Sequence, residues 1–273
     1  RTAEITTKYS YTFIRGNTSL ANSNDIQSHY PDLHCGTNAS LLQTVDFQGR
    51  TISLHMNDVI NDYAWIQGKS IHYTSGISGN FRFTMKFSHS DSNIGSSLLV
   101  GAGFAKDMTD FYGFGWWLPG SPNTYDNFSI VYIINGSTVA IPRTSWNADK
   151  ADGLGDLPIL DLTKLQVCQI QHTYLGAGPI KFYIMDSLGD WILVHVLNFV
   201  GTRTETTSLD PSFGFSMYGY IPSGAVISSG SDVVSSGSFA IQHDGRRQEI
   251  VERLAVELSS YFVTISSSTE THI

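Results

Sequence analysis

Hydrophobic and polar residues alternate with a period of two in several short segments of the chain. The clearest of these segments are residues 8–14, 81–87, 128–134 and 180–185. Such alternation is typical of a β-strand that has one buried face and one exposed face. We therefore predict many short strands, each with one side in a hydrophobic core.

Turn-forming residues separate the alternating segments. Gly and Asn cluster at 76–80, 113–115, 135–136 and 187–190, and the last two clusters have the chemistry of tight hairpin turns. Hairpins connect antiparallel strands, and helical periodicity is almost absent from the chain. The sequence therefore predicts an all-β fold, an antiparallel β-sandwich or jelly roll.

Two polar segments interrupt this pattern and suggest a division of the chain. Residues 21–38 show little alternation, and residues 223–238 are rich in Ser and Gly. We predict three parts, which are an N-terminal strand with an extended arm or connection at 1–45, a β-sandwich core domain at 46–222, and a Ser/Gly-rich loop with a C-terminal extension at 223–273.

The C-terminal extension contains the one helical pattern in the sequence. Within residues 248–258, apolar side chains fall on one stripe of a helix, namely Ile250, Val251, Leu254, Ala255 and Leu258. We predict a short amphipathic helix there, although the β-branched residues also allow a strand. The stripe would pack either on the sandwich or on a neighbouring subunit.

Composition and charge exclude several classes of function. Charged residues make up 15% of the chain, the formal net charge is −8, and no run of Lys or Arg occurs, so we expect no direct binding of nucleic acid. No apolar segment reaches the roughly 18 residues of a membrane-spanning helix. The two cysteines, Cys35 and Cys168, lack the spacing of a disulfide framework or a zinc site, and we expect buried free thiols.

The residues needed for catalysis do not form a convincing pattern. Glycoside hydrolysis, the activity most often found on large β-sandwiches, requires two carboxylates that face each other across the sugar. Glu is scarce, and most Asp residues stand among turn-formers, where their side chains cap their own backbone. No activated nucleophile or metal-binding histidine pair is evident. We therefore expect no enzymatic activity and no cofactor.

The densest polar segment, which follows Trp146, contains weak candidates for calcium ligands. They are Asn147, Asp149, Asp152 and Asp156. The register of an EF-hand fails, because counting from Asn147 puts Ala151 at position 5 and Asp152 at position 6, where the EF-hand has Gly. A hydrogen-bonded loop packed by Trp146 is the simpler interpretation, and calcium in another type of loop stays the alternative.

An aromatic cluster at residues 111–117 suggests a second kind of site. Trp116 and Trp117 are candidate contacts for a glycan, because exposed aromatic rings stack on sugars. Alternation, however, places Tyr112, Phe114 and Trp116 on one face of a strand. We therefore expect at least half of the cluster to lie in the core.

Four asparagines begin an N-x-S/T sequon, the acceptor pattern for N-glycosylation. They are Asn17, Asn38, Asn127 and Asn135. These sites matter only if the chain passes through a glycosylating compartment.

Several motifs occur in a recognisable order. They are Trp-Asn-x-Asp-x-x-Asp-Gly-x-Gly at 146–155, Leu-Asp-x-x-Lys-x-Gln at 160–166, aromatic-Leu-Gly-x-Gly at 174–178, and His-x-x-Asn at 195–198. Together with the aromatic-x-x-Gly-Lys-Ser segment near 63–70, they resemble a family of virion structural proteins of tailed bacteriophages and large DNA viruses. The chain departs from the family at Tyr174, where Trp is usual, and at 211–215, where a Pro-x-Arg-Tyr-Glu segment is reduced.

The resemblance implies a β-sandwich module of a capsid, fibre or tail, located in the virion. Its expected partners are further copies of itself and other virion proteins, and it implies no catalytic residues. The motif residues are then architectural: Trp146, Asn147, Asp149, Asp152, Gly153, Gly155, Leu175, Gly176, Gly178 and His195. The alternative is a carbohydrate-binding, lectin-like β-sandwich that contacts surface glycans, which could itself belong to a viral fibre.

Overall fold

A computed structural model describes most of the sandwich. The described residues are 5–12, 34–37, 43–46, 51–55, 61, 63–72, 78–87, 99–107, 109–117, 124–172, 178–202, 212–223 and 232–244. They form seventeen β-strands, numbered β1 to β17 in chain order, and one short 3-10 helix, Arg143–Ser145. The predicted C-terminal helix at 248–258 lies outside the described residues.

The strands form two large sheets and one small sheet, and every pairing is antiparallel. The six-stranded sheet has the order β1 (Ile5–Thr12), β17 (Ser238–Asp244), β7 (Gly79–Met85), β12 (Gln166–His172), β13 (Ile180–Met185) and β14 (Trp191–Leu197). The eight-stranded sheet has the order β11 (Ser137–Pro142), β10 (Ser129–Ile134), β9 (Asp110–Trp116), β8 (Leu99–Asp107), β15 (Ser212–Tyr220), β5 (Tyr63–Gln67) and β2 (His34–Thr37), with β6 (Ile71–His72) also paired to β15. The small sheet contains β16 (Asp232–Ser236), β4 (Thr51–His55) and β3 (Gln43–Asp46). The all-β antiparallel fold predicted from the sequence is confirmed.

The first and the last described strands belong to the sandwich. Strand β1 pairs with β17 over the register from Ile5 opposite Asp244 to Thr12 opposite Ser238, and β2 pairs with β5. The boundaries at 45/46 and 222/223 stay a prediction, and strands from both sides of each boundary belong to the same sheets. Pairing between strands that are far apart in sequence leaves no local signal, so the sequence did not predict these pairings.

The hydrophobic core lies between the two large sheets and is rich in phenylalanine. Phe81 of the six-stranded sheet stacks on Phe104 of the eight-stranded sheet, with ring centroids 3.9 Å apart. Phe182 likewise meets Phe114 edge to face at 5.5 Å. Cys168 is a fully buried free thiol in this core, and burial raises its pKa, as expected for a structural cysteine.

Two hairpins form where the turn chemistry predicted them. Asn135 and Gly136, which join β10 to β11, have φ angles of 50° and 76°, as a two-residue type I′ turn requires. In the turn between β13 and β14, Asp186 Oδ1 accepts the N–H groups of Leu188 and Asp190. The glycines at 113 and 115 do not form a turn, contrary to the prediction, since both lie within β9.

Candidate functional site

The motif segment begins with a buried tryptophan. Trp146 is 2% exposed, and its Nε1 donates to the carbonyl oxygen of Ile141 at 3.1 Å. Its ring packs edge-on against Phe114 and Phe128, with centroids 6.1 and 6.2 Å away. Trp146 therefore anchors the loop that follows it to the core of the sandwich.

The loop after Trp146 binds to the outer edge of β14 and brings distant motif residues together. Asn147 Oδ1 accepts the N–H of Val196 and its Nδ2 donates to the Val196 carbonyl, both at 2.9 Å. The backbone N–H of Asn147 donates to Nδ1 of His195 at 3.1 Å, across 48 positions of sequence. The next two N–H groups of the loop donate to carbonyl oxygens of β14. The Trp-Asn and His-x-x-Asn motifs thus form one structural unit.

The carboxylate of Asp149 holds the rest of this loop together. Its Oδ1 accepts the N–H of Ala151 at 2.7 Å, and its Oδ2 accepts those of Asp156 and Leu157 at 2.6 and 3.0 Å. A Cβ at Gly155 would lie 2.3 Å from Asp149 Oδ2, so only glycine lets the chain pass this close. Asp149 therefore has a clear structural role.

Of the other three calcium candidates, two form hydrogen bonds and one is exposed. Asp152 Oδ1 accepts the N–H of Leu154 at 3.0 Å, Asn147 is bound to β14, and Asp156 is exposed. Gly153 has a φ of +80°, which suits glycine at this turn. Among the described residues no three His, Cys, Asp or Glu side chains form a group that could hold a metal. The geometry of the loop does not support a calcium site.

His195 connects the loop to the sandwich in its neutral form. It is 5% exposed, and burial lowers its pKa below the ordinary value. Its Nδ1 must be unprotonated to accept the N–H of Asn147. Of the remaining motif residues, Gly178 is buried, and Leu175 and Gly176 lie outside the described residues.

The aromatic cluster divides between the two faces of β9. Trp116 is 2% exposed and packs in the core against Phe87 and Phe128, at 4.7 and 5.4 Å. This position corrects its assignment as a glycan contact, because a ring buried between the sheets offers no face to a ligand. Trp117 turns to the opposite side, where it is half-buried and meets Tyr218 edge-on at 4.6 Å.

The outward side of the eight-stranded sheet carries a second hydrophobic cluster, which we call the apolar outer face. It comprises Ala105, Phe111, Val131, Ile133 and Tyr218, with the partly buried Trp65, Trp117 and Ala140 against it. Tyr218 is at its centre, fully buried, and Phe111 meets it edge-on at 4.6 Å. Its position on the non-core side distinguishes this cluster from the main core.

A block of four glycines underlies these rings. Gly101 pairs with Gly115 and Gly103 pairs with Gly113 across β8 and β9. A Cβ at Gly101 would lie 2.9 Å from the Tyr218 hydroxyl, and one at Gly113 would lie 2.4 Å from the ring of Phe111. Gly113, which the sequence suggested as a turn residue, therefore allows an aromatic ring to lie against the sheet.

The outward side of the six-stranded sheet is polar and open. We call the side chains of Arg82, Gln169, Gln171, Lys181, Tyr183 and Trp191 the polar outer face. Cross-strand register places Arg82, Gln169 and Tyr183 in one row, because Arg82 pairs with Gln169 and Gln169 pairs with Tyr183. Most of these side chains are half-buried, as on a sheet surface that meets solvent.

Hydrogen bonds and a cation–π contact join the residues of the polar outer face. Arg82 Nε donates to Gln169 Oε1 at 2.6 Å, and its guanidinium lies 5.1 Å from the ring centroid of Trp191. The hydroxyl of Tyr183 donates to Gln171 Oε1 at 3.2 Å. Sequence reasoning missed this surface, because its residues come from four strands and only the topology brings them together.

Two of the four sequon asparagines lie in the part of the chain that the structure describes. Asn135 is exposed in the β10–β11 turn and Asn127 is half-buried, whereas Asn17 and Asn38 lie outside the described residues. Within the part of the chain that the structure describes, no helix is long and apolar enough to cross a membrane.

Comparison with known proteins identifies the fold but no family. No family model and no curated protein matches the sequence. Among solved structures, the chain is similar to an endo-1,3-beta-glucanase from Streptomyces sioyaensis, with 5% identity, a TM-score of 0.55, and coverage of 89% of this chain and 97% of that chain. It is also similar to the CBM2 module of the evolved Dit of Lactobacillus casei BL23 phage J-1, with 7% identity, a TM-score of 0.51, and coverage of 90% and 98%. Peanut lectin has 10% identity and a TM-score of 0.48, with coverage of 88% and 98%.

Proposed function

We propose that this chain is a carbohydrate-binding β-sandwich without catalytic activity, and that the polar outer face is its ligand surface. The observation that carries the proposal is the connected array of planar polar groups and aromatic rings across β7, β12, β13 and β14. Sugars bind proteins through stacking on aromatic rings and hydrogen bonds to fixed polar groups. This surface supplies both kinds of group.

The fold neighbours are compatible with this proposal. One is described as a CBM2 module, a carbohydrate-binding module, and another is peanut lectin. Their likeness to this chain extends to the fold alone, so the proposal rests on the side chains of the polar outer face.

The described aspartates occupy structural positions. Every described aspartate lies in a loop, in a turn or at the end of a strand, and several cap backbone N–H groups, as Asp161 and Asp186 do. All glutamates lie outside the described residues. Among the described residues, no carboxylate stands in the middle of a strand, where a glycosidase acting on a sheet face would need it.

A glycan array followed by titration of two tryptophan variants tests the proposal. The wild-type chain should bind at least one glycan, and Trp191→Ala should weaken that binding about tenfold, the equivalent of one lost stacking contact. Trp117→Ala is the matched control, because Trp117 is a half-buried tryptophan on the apolar outer face. It should change the affinity about twofold or less.

The outcomes separate the two faces. An array with no bound glycan would contradict carbohydrate binding altogether. Loss of affinity in Trp117→Ala with no change in Trp191→Ala would place the ligand on the apolar outer face instead. Circular dichroism of both variants shows whether each is folded before affinities are compared.

A virion structural role is a second candidate, and one observation favours it. Asn147 and His195, from two motifs that resemble those of the virion family, meet through a hydrogen bond, and Trp146 of the first motif is buried in the core beside them, as expected of motifs with a common architectural purpose. The phage module among the fold neighbours illustrates that a CBM-type sandwich can belong to a phage protein. Immunogold labelling of purified particles with an antibody to this chain tests the role, and unlabelled intact and disrupted particles would contradict it.

A further inference from the structure

The hydrogen bonds of the polar outer face engage the side-chain amide oxygens of its two glutamines. Gln169 Oε1 accepts from Arg82 and Gln171 Oε1 accepts from Tyr183. Gln169 is buried, whereas Gln171 and Lys181 are half-buried, and the NH2 and ammonium groups of these two side chains only donate. The accessible part of this surface therefore offers donors to a ligand.

The same surface carries positive charge in an otherwise acidic chain. The chain has a formal net charge of −8, yet strands β7, β12, β13 and β14 contain Arg82 and Lys181 and no acidic residue. Lys181 pairs in register with Gln171, so the two residues are neighbours on adjacent strands of this face. Lys181 forms no ion pair with any residue that the structure describes.

The nearest acidic residues in sequence lie beyond the end of the face. Asp186 and Asp190 belong to the turn that joins β13 to β14, and Asp186 Oδ1 already accepts two backbone N–H groups of that turn. They therefore border the surface at the end that carries Trp191, and no acidic residue of these four strands lies in the row of Gln171 and Lys181.

We propose that the ligand of the polar outer face is an acidic glycan, one that carries carboxylate groups on its sugar rings. This inference rests on the proposed carbohydrate-binding function. A neutral sugar presents hydroxyl groups, each of which donates and accepts, whereas a carboxylate only accepts. A surface with two cations and no acidic residue in its four strands therefore attracts the carboxylate, and hydrogen bonds to an ionised group are the stronger ones. The ring of Trp191, held under the Arg82 guanidinium, supplies the stacking surface.

Titration with a galacturonic acid oligosaccharide and with its methyl-ester form tests this inference, because esterification removes the charge and keeps the ring. The wild-type chain should bind the acid form about fivefold more tightly than the ester. Lys181→Gln should remove most of that preference while it changes the affinity for the ester little. Lys164→Gln is the control, since Lys164 is an exposed lysine in the loop before β12. It should keep the preference of the wild type.

Each result separates this inference from the function on which it rests. Equal affinity for the acid and the ester, or a preference that survives in Lys181→Gln, would overturn the acidic-ligand inference and leave glycan binding intact. Binding of neutral glycans on the array with no binding of the acid form would do the same. Absence of binding to every glycan would overturn the proposed function and the inference together.

Discussion

The two outer faces of this sandwich are built from opposite kinds of residue. On the eight-stranded sheet, glycines at the outward positions of β8 and β9 leave room for Phe111 and Tyr218, which lie against the sheet and are buried. On the six-stranded sheet, long polar side chains occupy the outward positions. They form hydrogen bonds with side chains of neighbouring strands, and most of them stay partly accessible. One face extends the hydrophobic interior, and the other meets solvent.

This difference predicts that the two faces affect different properties of the protein, namely stability and ligand binding. Burial of apolar rings contributes to the free energy of unfolding, whereas half-exposed polar groups contribute little to it and are available to a ligand. We therefore expect substitutions on the apolar outer face to change stability, and substitutions on the polar outer face to change binding.

Removal of one ring from each face should give very different losses of stability. Phe111→Ala should lower the free energy of unfolding by about 3–5 kcal/mol, because Phe111 is only 1% exposed and its loss leaves a cavity against Tyr218. Tyr183→Ala, the matched change on the half-exposed polar outer face, should lower it by about 1 kcal/mol. Urea unfolding of both variants measures the difference. Equal losses of the free energy of unfolding would show that the two faces contribute equally to stability.

The sequence predicted the fold well where the signal was local. Alternation identified strands such as 81–87 and 180–185, and Asn-Gly chemistry identified the β10–β11 turn. It failed where the signal was not local. The pairing of β1 with β17 joins the first and the last described strands, and the role of Gly113 depends on a ring from its own strand that folds back over it. In the sequence, a glycine that leaves room for an aromatic ring cannot be distinguished from a glycine that forms a turn.

A smaller effect concerns the one polar atom at the centre of the apolar outer face. The hydroxyl of Tyr218 is buried and has no hydrogen-bond partner among the described residues, and burial raises the pKa of this tyrosine. A buried hydroxyl without a partner costs stability. Tyr218→Phe should therefore raise the free energy of unfolding by about 1–3 kcal/mol in urea unfolding. A loss of stability instead would mean that the hydroxyl is satisfied, for example by a water molecule, and that this face is less apolar than proposed.

For the candidate sites, too, the sequence predicted local features but not the contacts between residues that are far apart in sequence. The order of the motifs was visible in the sequence, and the buried Trp146 agrees with its predicted role as a core anchor. The contact between Asn147 and His195 and the row of Arg82, Gln169 and Tyr183 were not visible, because each depends on which strands become neighbours. Spacing along one strand says which side chains share a face, but only sheet order says which strands supply them.

The smallest predicted effect is a dependence on pH at the edge of the polar outer face, where His195 of β14 accepts the N–H of Asn147. Burial lowers the pKa of His195 below its ordinary value of 6.5, so below pH 6.5 the unfolded chain binds a proton that the folded chain does not. The free energy of unfolding should therefore fall as the pH drops from 6.5 towards the pKa of the folded state, and should level off below that pKa.

Urea unfolding of the wild type and of His195→Gln across this range measures the contribution of His195. Glutamine retains an oxygen that can accept the Asn147 N–H but does not titrate. The difference in stability between the two proteins should therefore shift in favour of the variant as the pH falls. A difference that stays constant with pH would show that protonation of His195 does not weaken the attachment of the loop to β14, and that this edge is held by the Asn147 side chain and the backbone bonds alone.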